Sequence, residues 1–240
     1  MNEYHPRCTH RALVLDWERI AVELNAGGSA CISGLLLDEE CDTLKAMYPQ
    51  GEWFRSHIHM GRHGFGQGEY KYFKYPLPDR VAELRTGLYP ELAKIANDWN
   101  IKMNIEWEYP STHQRYLDLC HSAGQIRPTP LLLQYTKGDY NCLHQDLYGE
   151  RVFPLQVAIL LSEPEKDFLG GEFVLTEQRP RMQTRAEVLS LKKGDAVIFA
   201  VCNRPVQGNK GYYRVNMRHG VSKIHHGNRH TLGIIFHDAL

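Results

Sequence analysis

Apolar residues in the first part of the chain recur every three or four positions, and after residue 131 the spacing changes. Trp17, Ile20, Ala21 and Leu24 predict a helix over Asp16 to Leu24, closed by Ala26-Gly27-Gly28-Ser29. Ala30 to Leu37 reads as a short strand. Asp38 is then a candidate N-cap. Glu39 and Glu40 stand in a first turn that favours negative charge, and Cys41, Leu44 and Met47 share one face. A long helical run begins at Leu77-Pro78-Asp79. It carries Val81, Leu84, Leu88, Leu92, Ile95, Ala96 and Trp99, with Pro90 as an expected break or kink. Residues 112–122 suit another helix.

Beyond residue 131 the pattern is of short apolar or β-branched runs: 131–133, 153–161, 172–175, 196–201 and 231–236. Clusters of Gly, Pro, Asn and Asp separate them. Such a pattern predicts an all-β barrel or jelly roll. The expected fold is therefore mainly β with flanking helices. Residues 1–110 form an N-terminal helical and lid region packed on a core of residues 111–240, the two making one structural unit. No internal repeat or long linker divides them.

Composition narrows the partners. The 240 residues carry 28 Lys+Arg and 28 Asp+Glu, so no global field draws in a polyanion. The six cysteines (Cys8, Cys31, Cys41, Cys120, Cys142, Cys202) form no CxxC pair and follow no secretory signal. They read as reduced thiols in a cytoplasmic protein. No run of about 18 apolar residues is present, so no membrane span is expected. A monomer or small homo-oligomer is the expected state.

The candidate chemistry lies in four residues. His144 and Asp146 stand at i and i+2, which on a strand directs both to one side with Gln145 facing away. His219 follows in Arg218-His219-Gly220, and Arg229 lies ten residues further on. Two histidines and a carboxylate without a thiolate form the donor set of a facial triad for non-haem Fe(II). An arginine at that offset suits an anionic co-substrate, because its planar fork matches a carboxylate. An HxD pair alone is common, and the ordered set HxD, GGE, KGD, RHG and GxR is what carries the reading. His121, His225, His226, His230 and His237 are expected on the surface or in ordinary hydrogen bonds. Gly170-Gly171 reads as a tight turn needing positive φ.

Leu143-His144-Gln145-Asp146 resembles the LHQD segment of alkylated-nucleobase demethylases. Phe168 to Phe173, Lys193 to Phe199, His219-Gly220-Val221 and Gly227-Asn228-Arg229 resemble the catalytic domain of prolyl 4-hydroxylases. Both are Fe(II)/2-oxoglutarate-dependent dioxygenases with a double-stranded β-helix (jelly roll) core, here from about Leu131 to Asp238. GQIRPTPLLLQY, NCLHQDLYGE, FPLQVAILLSEP, GGEFVLTEQRPRMQ and LGIIFHDA further resemble a bacterial oxygenase family predicted to act on damaged nucleic acid.

The resemblance implies His144, Asp146 and His219 as catalytic iron ligands and Arg229 as the partner of the distal carboxylate of 2-oxoglutarate. Tyr135 is implied as a second co-substrate contact. Leu133 departs from the demethylase pattern, which has asparagine there, and the Arg229 offset follows the hydroxylases. The implied reaction consumes O2 and 2-oxoglutarate, releases succinate and CO2, and hydroxylates a substrate C–H bond. Ascorbate is an implied reductant. On an N-methyl group the product would lose formaldehyde.

Two segments bear on the substrate. Trp53 to Tyr75 interleaves Arg55, Arg62, Lys71 and Lys74 with aromatics and glycines. It reads either as a hairpin packed on the barrel or as a nucleic-acid lid that stacks bases. From Ala196 to His237 there is no Asp or Glu, while Arg204, Lys210, Arg214, Arg218, Lys223 and Arg229 accumulate, with Arg179, Arg181 and Arg185 nearby. This predicts a basic rim suited to an anionic target, or to the 2-oxoglutarate dianion alone. The expected function is oxidative demethylation of alkylated nucleic acid. Protein or peptide prolyl hydroxylation, small-molecule hydroxylation and a non-catalytic metal or 2-oxoglutarate sensor are the alternatives.

Overall fold

A computed structural model describes residues 11, 12, 14–147 and 149–240; Cys8 lies outside them. Helix α1 (Trp17–Gly27) forms where its spacing predicts. The Asp16 carboxylate accepts from the Arg19 N–H at 3.0 Å, Ile20 and Leu24 face the core, and Gly28 at φ +82° ends the helix. Strand β1 (Ser29–Ile32) is shorter than expected. In α2 (Asp38–Met47), Leu37 is the cap and Asp38 already helical. Glu40 reaches back to accept from the Leu37 N–H at 2.8 Å.

Helix α3 (Asp79–Lys102) continues through Pro90, against the expected break. The missing hydrogen bond is outweighed by burial on both sides of it, with Leu88, Tyr89, Leu92 and Ala93 all inside. Its Arg85 is buried with Asp238 at 2.8 Å and also donates to the carbonyls of Ile235 and His237. This ties α3 to the end of the chain. Helix α4 (His113–Ser122) packs beside it.

Two antiparallel sheets form the rest. The major sheet has the order β1, β11 (Ala196–Ala200), β7 (Leu155–Leu160), β14 (Ile224–Ile234), β5 (Leu131–Thr136), β4 (Glu69–Phe73), β2 (Phe54–His59), and β8 (Phe168–Gly170) pairs with β14. The minor sheet has the order β10 (Arg185–Leu189), β9 (Phe173–Gln178), β13 (Gly211–Val221), β6 (Tyr140–His144), β3 (Gly66–Gln67), with β12 (Asn203–Gly208) also on β13. The fold is mainly β, as expected, with the helices outside the sheets. Phe173 of the minor sheet meets Phe199 of the major one at 5.0 Å between ring centroids. Strands β10 and β12 escaped the hydrophobic pattern because few of their side chains are buried. Residues 29–73, assigned to the helical and lid region, contribute four strands to the two sheets: the expected short strand at β1, and β2 to β4 in the segment read as hairpin or lid. Among the described residues no helix is long and apolar enough to cross a membrane.

Two buried histidines link this packing to pH. His113 donates from Nε2 to the Phe236 carbonyl at 2.8 Å, and His237 Nδ1 accepts from the Phe153 N–H at 3.2 Å. Burial, helped by the charge of Arg85, pushes His113 down to about 3 and His237 down to about 4. Unfolding frees both to take a proton near pH 6.5. Their stabilisation is complete above that pH and is lost as pH falls toward the folded values. His219 and His230, also lowered by burial, act in the same direction, and His144, raised by Asp146 against its burial, offsets a part. Urea unfolding of metal-free protein should show a loss of about 2 kcal/mol between pH 7.5 and 5.5. An unchanged midpoint would mean that these histidines are charged in the fold.

Candidate active site

A cavity of about 200 Å³ opens between the sheets, and it gathers the four residues singled out above together with Tyr135. His144 ends β6 and is the cross-strand partner of His219 on β13. Asp146 lies just past the end of the strand, in the loop. Gln145, expected to face away, is also among the residues lining the cavity. Gln145 donates to the Met217 carbonyl at 2.7 Å and anchors the loop to β13.

Asp146 Oδ1 stands 3.3 Å from His144 Nε2, and Oδ2 stands 3.4 Å from His219 Nε2. All three residues offer donor atoms within 4.8 Å of one another. Such separations fit neighbouring corners around one first-row divalent ion. His144 Nδ1 donates to the Cys142 carbonyl at 2.7 Å, which leaves Nε2 as the donor facing the cluster. Burial opposes charge on Asp146, but hydrogen bonds from His144 and His219 hold its carboxyl well below the usual range. Burial lowers His219, and hydrogen bonding to Asp146 opposes that only in part.

The opposite wall belongs to the major sheet. Arg229 on β14 and Tyr135 on β5 are cross-strand partners. Arg229 is 3% exposed and forms no ion pair among the described residues. Its Nη1 donates to Thr231 at 2.6 Å, while its Nε has no partner. Burial pushes this guanidinium down to about 10. The Tyr135 hydroxyl, fully buried, completes no hydrogen bond beyond a loose approach from Asn141. Gly170 and Gly171 both have positive φ, as predicted. Gly171 has a further effect: a Cβ there would lie 2.9 Å from Arg229 Cδ, so the glycine leaves room for the arginine.

Sequence reasoning missed Gln156, Asn141 and Thr231, which also line the cavity. Gln156 had a signal, being the one polar residue in the apolar run Leu155 to Leu161 before Ser162. The Gln156 amide nitrogen is buried without a partner. The expected basic rim is corrected. Arg204 is buried against Glu177, Arg179 and Arg185 also meet Glu177, and Arg214 donates to the Met103 carbonyl. Arg218 alternates with His219 along β13 and so faces away from the cavity. Residues 53–75 form the hairpin of β2 and β4 on the major sheet, and β3 between them pairs with β6 of the minor sheet. Met60, Phe65 and Tyr70 of this segment still line the cavity, so the hairpin is also a wall.

Residues 68–239 match the family Oxygenase-NA, described as "Oxygenase, catalysing oxidative methylation of damaged DNA". The chain belongs to this family. Two uncharacterized proteins of Mycobacterium tuberculosis, from strains CDC 1551 / Oshkosh and H37Rv, are each 47% identical to this Oxygenase-NA member over 167 residues, 70% of this chain and 72% of theirs. A Pseudomonas putida prolyl-4-hydroxylase superposes with a TM-score of 0.55 at 12% identity, covering 93% of this chain and 99% of that one. A Burkholderia pseudomallei oxidoreductase of the 2OG-Fe(II) oxygenase family gives 0.55 at 13% identity, covering 94% and 93%. This Oxygenase-NA member is thus an oxidoreductase with the fold of the 2OG-Fe(II) oxygenases, and Fe(II), 2-oxoglutarate and O2 are the cofactors that this fold implies. The residues present fit that set. The His, Asp and His donors suit iron, and a buried cation with an unsatisfied N–H suits a diacid.

Proposed function

We propose that this oxygenase removes alkyl groups from damaged nucleic acid by oxidation, with His144, Asp146 and His219 holding the iron. Arg229 then takes the distal carboxylate of 2-oxoglutarate and Tyr135 donates its hydroxyl to the same co-substrate. The observation that carries the reading is the buried, unpaired Arg229 sharing one cavity with the His-Asp-His cluster. Iron and 2-oxoglutarate together supply the oxidising power, as O2 is reduced and the keto acid becomes succinate and CO2.

The chain's own residues orient and screen. The Cys142 carbonyl fixes the His144 tautomer, and Asp146 supplies one negative charge toward a +2 ion. Phe173 and Phe199 pack on the His219 ring and keep water from that side. A cavity of about 200 Å³ is smaller than the ~300 Å³ of a pocket for a drug-sized molecule. It suits the diacid and the reacting group of a larger substrate whose body stays outside. Phe65, 49% exposed, stands at this cavity with His63 stacked on it at 5.3 Å. Such a pair is a platform on which an unstacked base can lie. Hydroxylation of an N-methyl carbon there gives an N-hydroxymethyl group, which releases formaldehyde and leaves N–H.

The test is formaldehyde release from a panel of N-methylated DNA and RNA oligonucleotides, dependent on Fe(II), 2-oxoglutarate and His144. No release from any lesion, with one oxygen gained on a proline peptide instead, would transfer the protein to the hydroxylases. Phe65→Ala is expected to lower kcat/KM for the oligonucleotide about 5- to 150-fold, the worth of one stacked base. Substrate-independent succinate formation should not change. Equal loss of both activities would place Phe65 in the fold and not at the substrate.

A further inference from the structure

A second cluster of metal-ligating side chains lies on the outer face of the major sheet. His57 and His59 stand two apart on β2, and Glu69 on β4 is the cross-strand partner of His59. Their donor atoms also lie within 4.8 Å of one another. Glu69 Oε2 is 2.8 Å from His57 Nε2 and 3.4 Å from His59 Nδ1, and the two rings are 4.3 Å apart. The other carboxylate oxygen, Oε1, accepts from the Tyr48 hydroxyl at 3.1 Å. That bond keeps Oε2 turned toward both imidazoles. Lys71, across from His57, would repel a cation, but its ammonium donates to the Tyr48 carbonyl at 2.8 Å and lies over the Tyr48 ring.

We propose that His57, His59 and Glu69 bind a second divalent transition-metal ion of the zinc class. Two imidazoles and one carboxylate suit Zn²⁺, with water in the fourth position. The side chains are 39%, 47% and 30% exposed, so the ion exchanges with solvent. Occupancy would clamp β2 to β4 at the edge of the sheet. Successive residues of β4 face opposite sides, so Glu69 holds the ion while Tyr70 lines the active cavity. Gly68, next to Glu69, lies where a Cβ would come within 2.4 Å of the Tyr135 ring. Metal at the outer face therefore stiffens the wall of the cavity and makes activity responsive to metal supply.

The test uses the metal-free protein of 240 residues dialysed against Zn²⁺, with bound metal measured by elemental analysis. His219→Ala, which disables the inner cluster, should retain about one tightly bound equivalent and show a rise in Tm on adding Zn²⁺. In the His219→Ala/His57→Ala and His219→Ala/Glu69→Gln proteins the equivalent should be lost, with affinity at least ~100-fold weaker, beyond the effect of a ligand's supporting residue. Circular dichroism checks that each variant folds, which the exposure of His57 favours. If His219→Ala binds no Zn²⁺, or binds it equally well after His57→Ala and Glu69→Gln, the proposal fails. Because no readout is catalytic, the result is independent of the substrate reading.

Discussion

Asp146→Ala is expected to abolish succinate formation and to weaken metal binding in the cavity by more than ~100-fold, the upper end for a mere supporting residue. Asp146 is the single anion of the cluster and the residue that both imidazoles approach, at 3.3 and 3.4 Å. Without it two neutral donors face a +2 ion in a buried site, and among the described residues the cluster holds no other carboxylate to offset its charge. Asp146→Asn keeps the volume and removes the charge, so it should resemble alanine and not the parent. Mn²⁺ titration followed by magnetic resonance, together with succinate measured over time, reads both quantities. Parent-like turnover in either variant would remove Asp146 from the metal and end the reading of this cavity as an iron site.

Arg229→Met should separate function from stability. Affinity for 2-oxoglutarate is expected to fall at least ~30-fold, since removal of one partner of a buried charged pair costs 2–5 kcal/mol or more. The metal-free, ligand-free protein should nonetheless become more stable. Its guanidinium is 3% exposed, lacks a carboxylate partner and is held down to about 10 by burial. A flexible apolar side chain in that place removes a desolvated charge, a change that can gain about 1–4 kcal/mol. For a chain of this size each kcal/mol corresponds to about 2–4 °C in Tm. Isothermal titration with 2-oxoglutarate and a thermal melt test the two halves. A variant that melts lower and binds 2-oxoglutarate as before would show Arg229 to be a structural cation.

The site was legible in the sequence to the extent that its residue types are chemically distinctive. His144, Asp146, His219 and Arg229 stand in one cavity, and Tyr135 faces Arg229 across β5 and β14. Gln156 was not found although it breaks an apolar run, and Asn141 was not found because a lone amide among polar neighbours has no spacing to betray it. Helices α1 and α3 followed from their buried stripe. The hairpin of β2 and β4 was one of two readings of residues 53–75, and its bounds and the short β3 were not legible, since Gly61, Gly64, Gly66 and Gly68 interrupt alternation. The basic run after Ala196 misled for a tertiary reason: linear charge density ignores that Glu177, outside the run, neutralises Arg204.

The iron-side donors, His144 and His219, belong to the minor sheet, whereas Arg229 and Tyr135 belong to the major one. A diacid that chelates the metal at one end and meets the arginine at the other would act as a rivet through both layers. Without it the layers meet here through the Phe173 and Phe199 rings and the approach of Asn141 to Tyr135. Metal and keto acid together should tighten the molecule by more than their separate effects, so that readiness to oxidise and mechanical closure arrive in the same event.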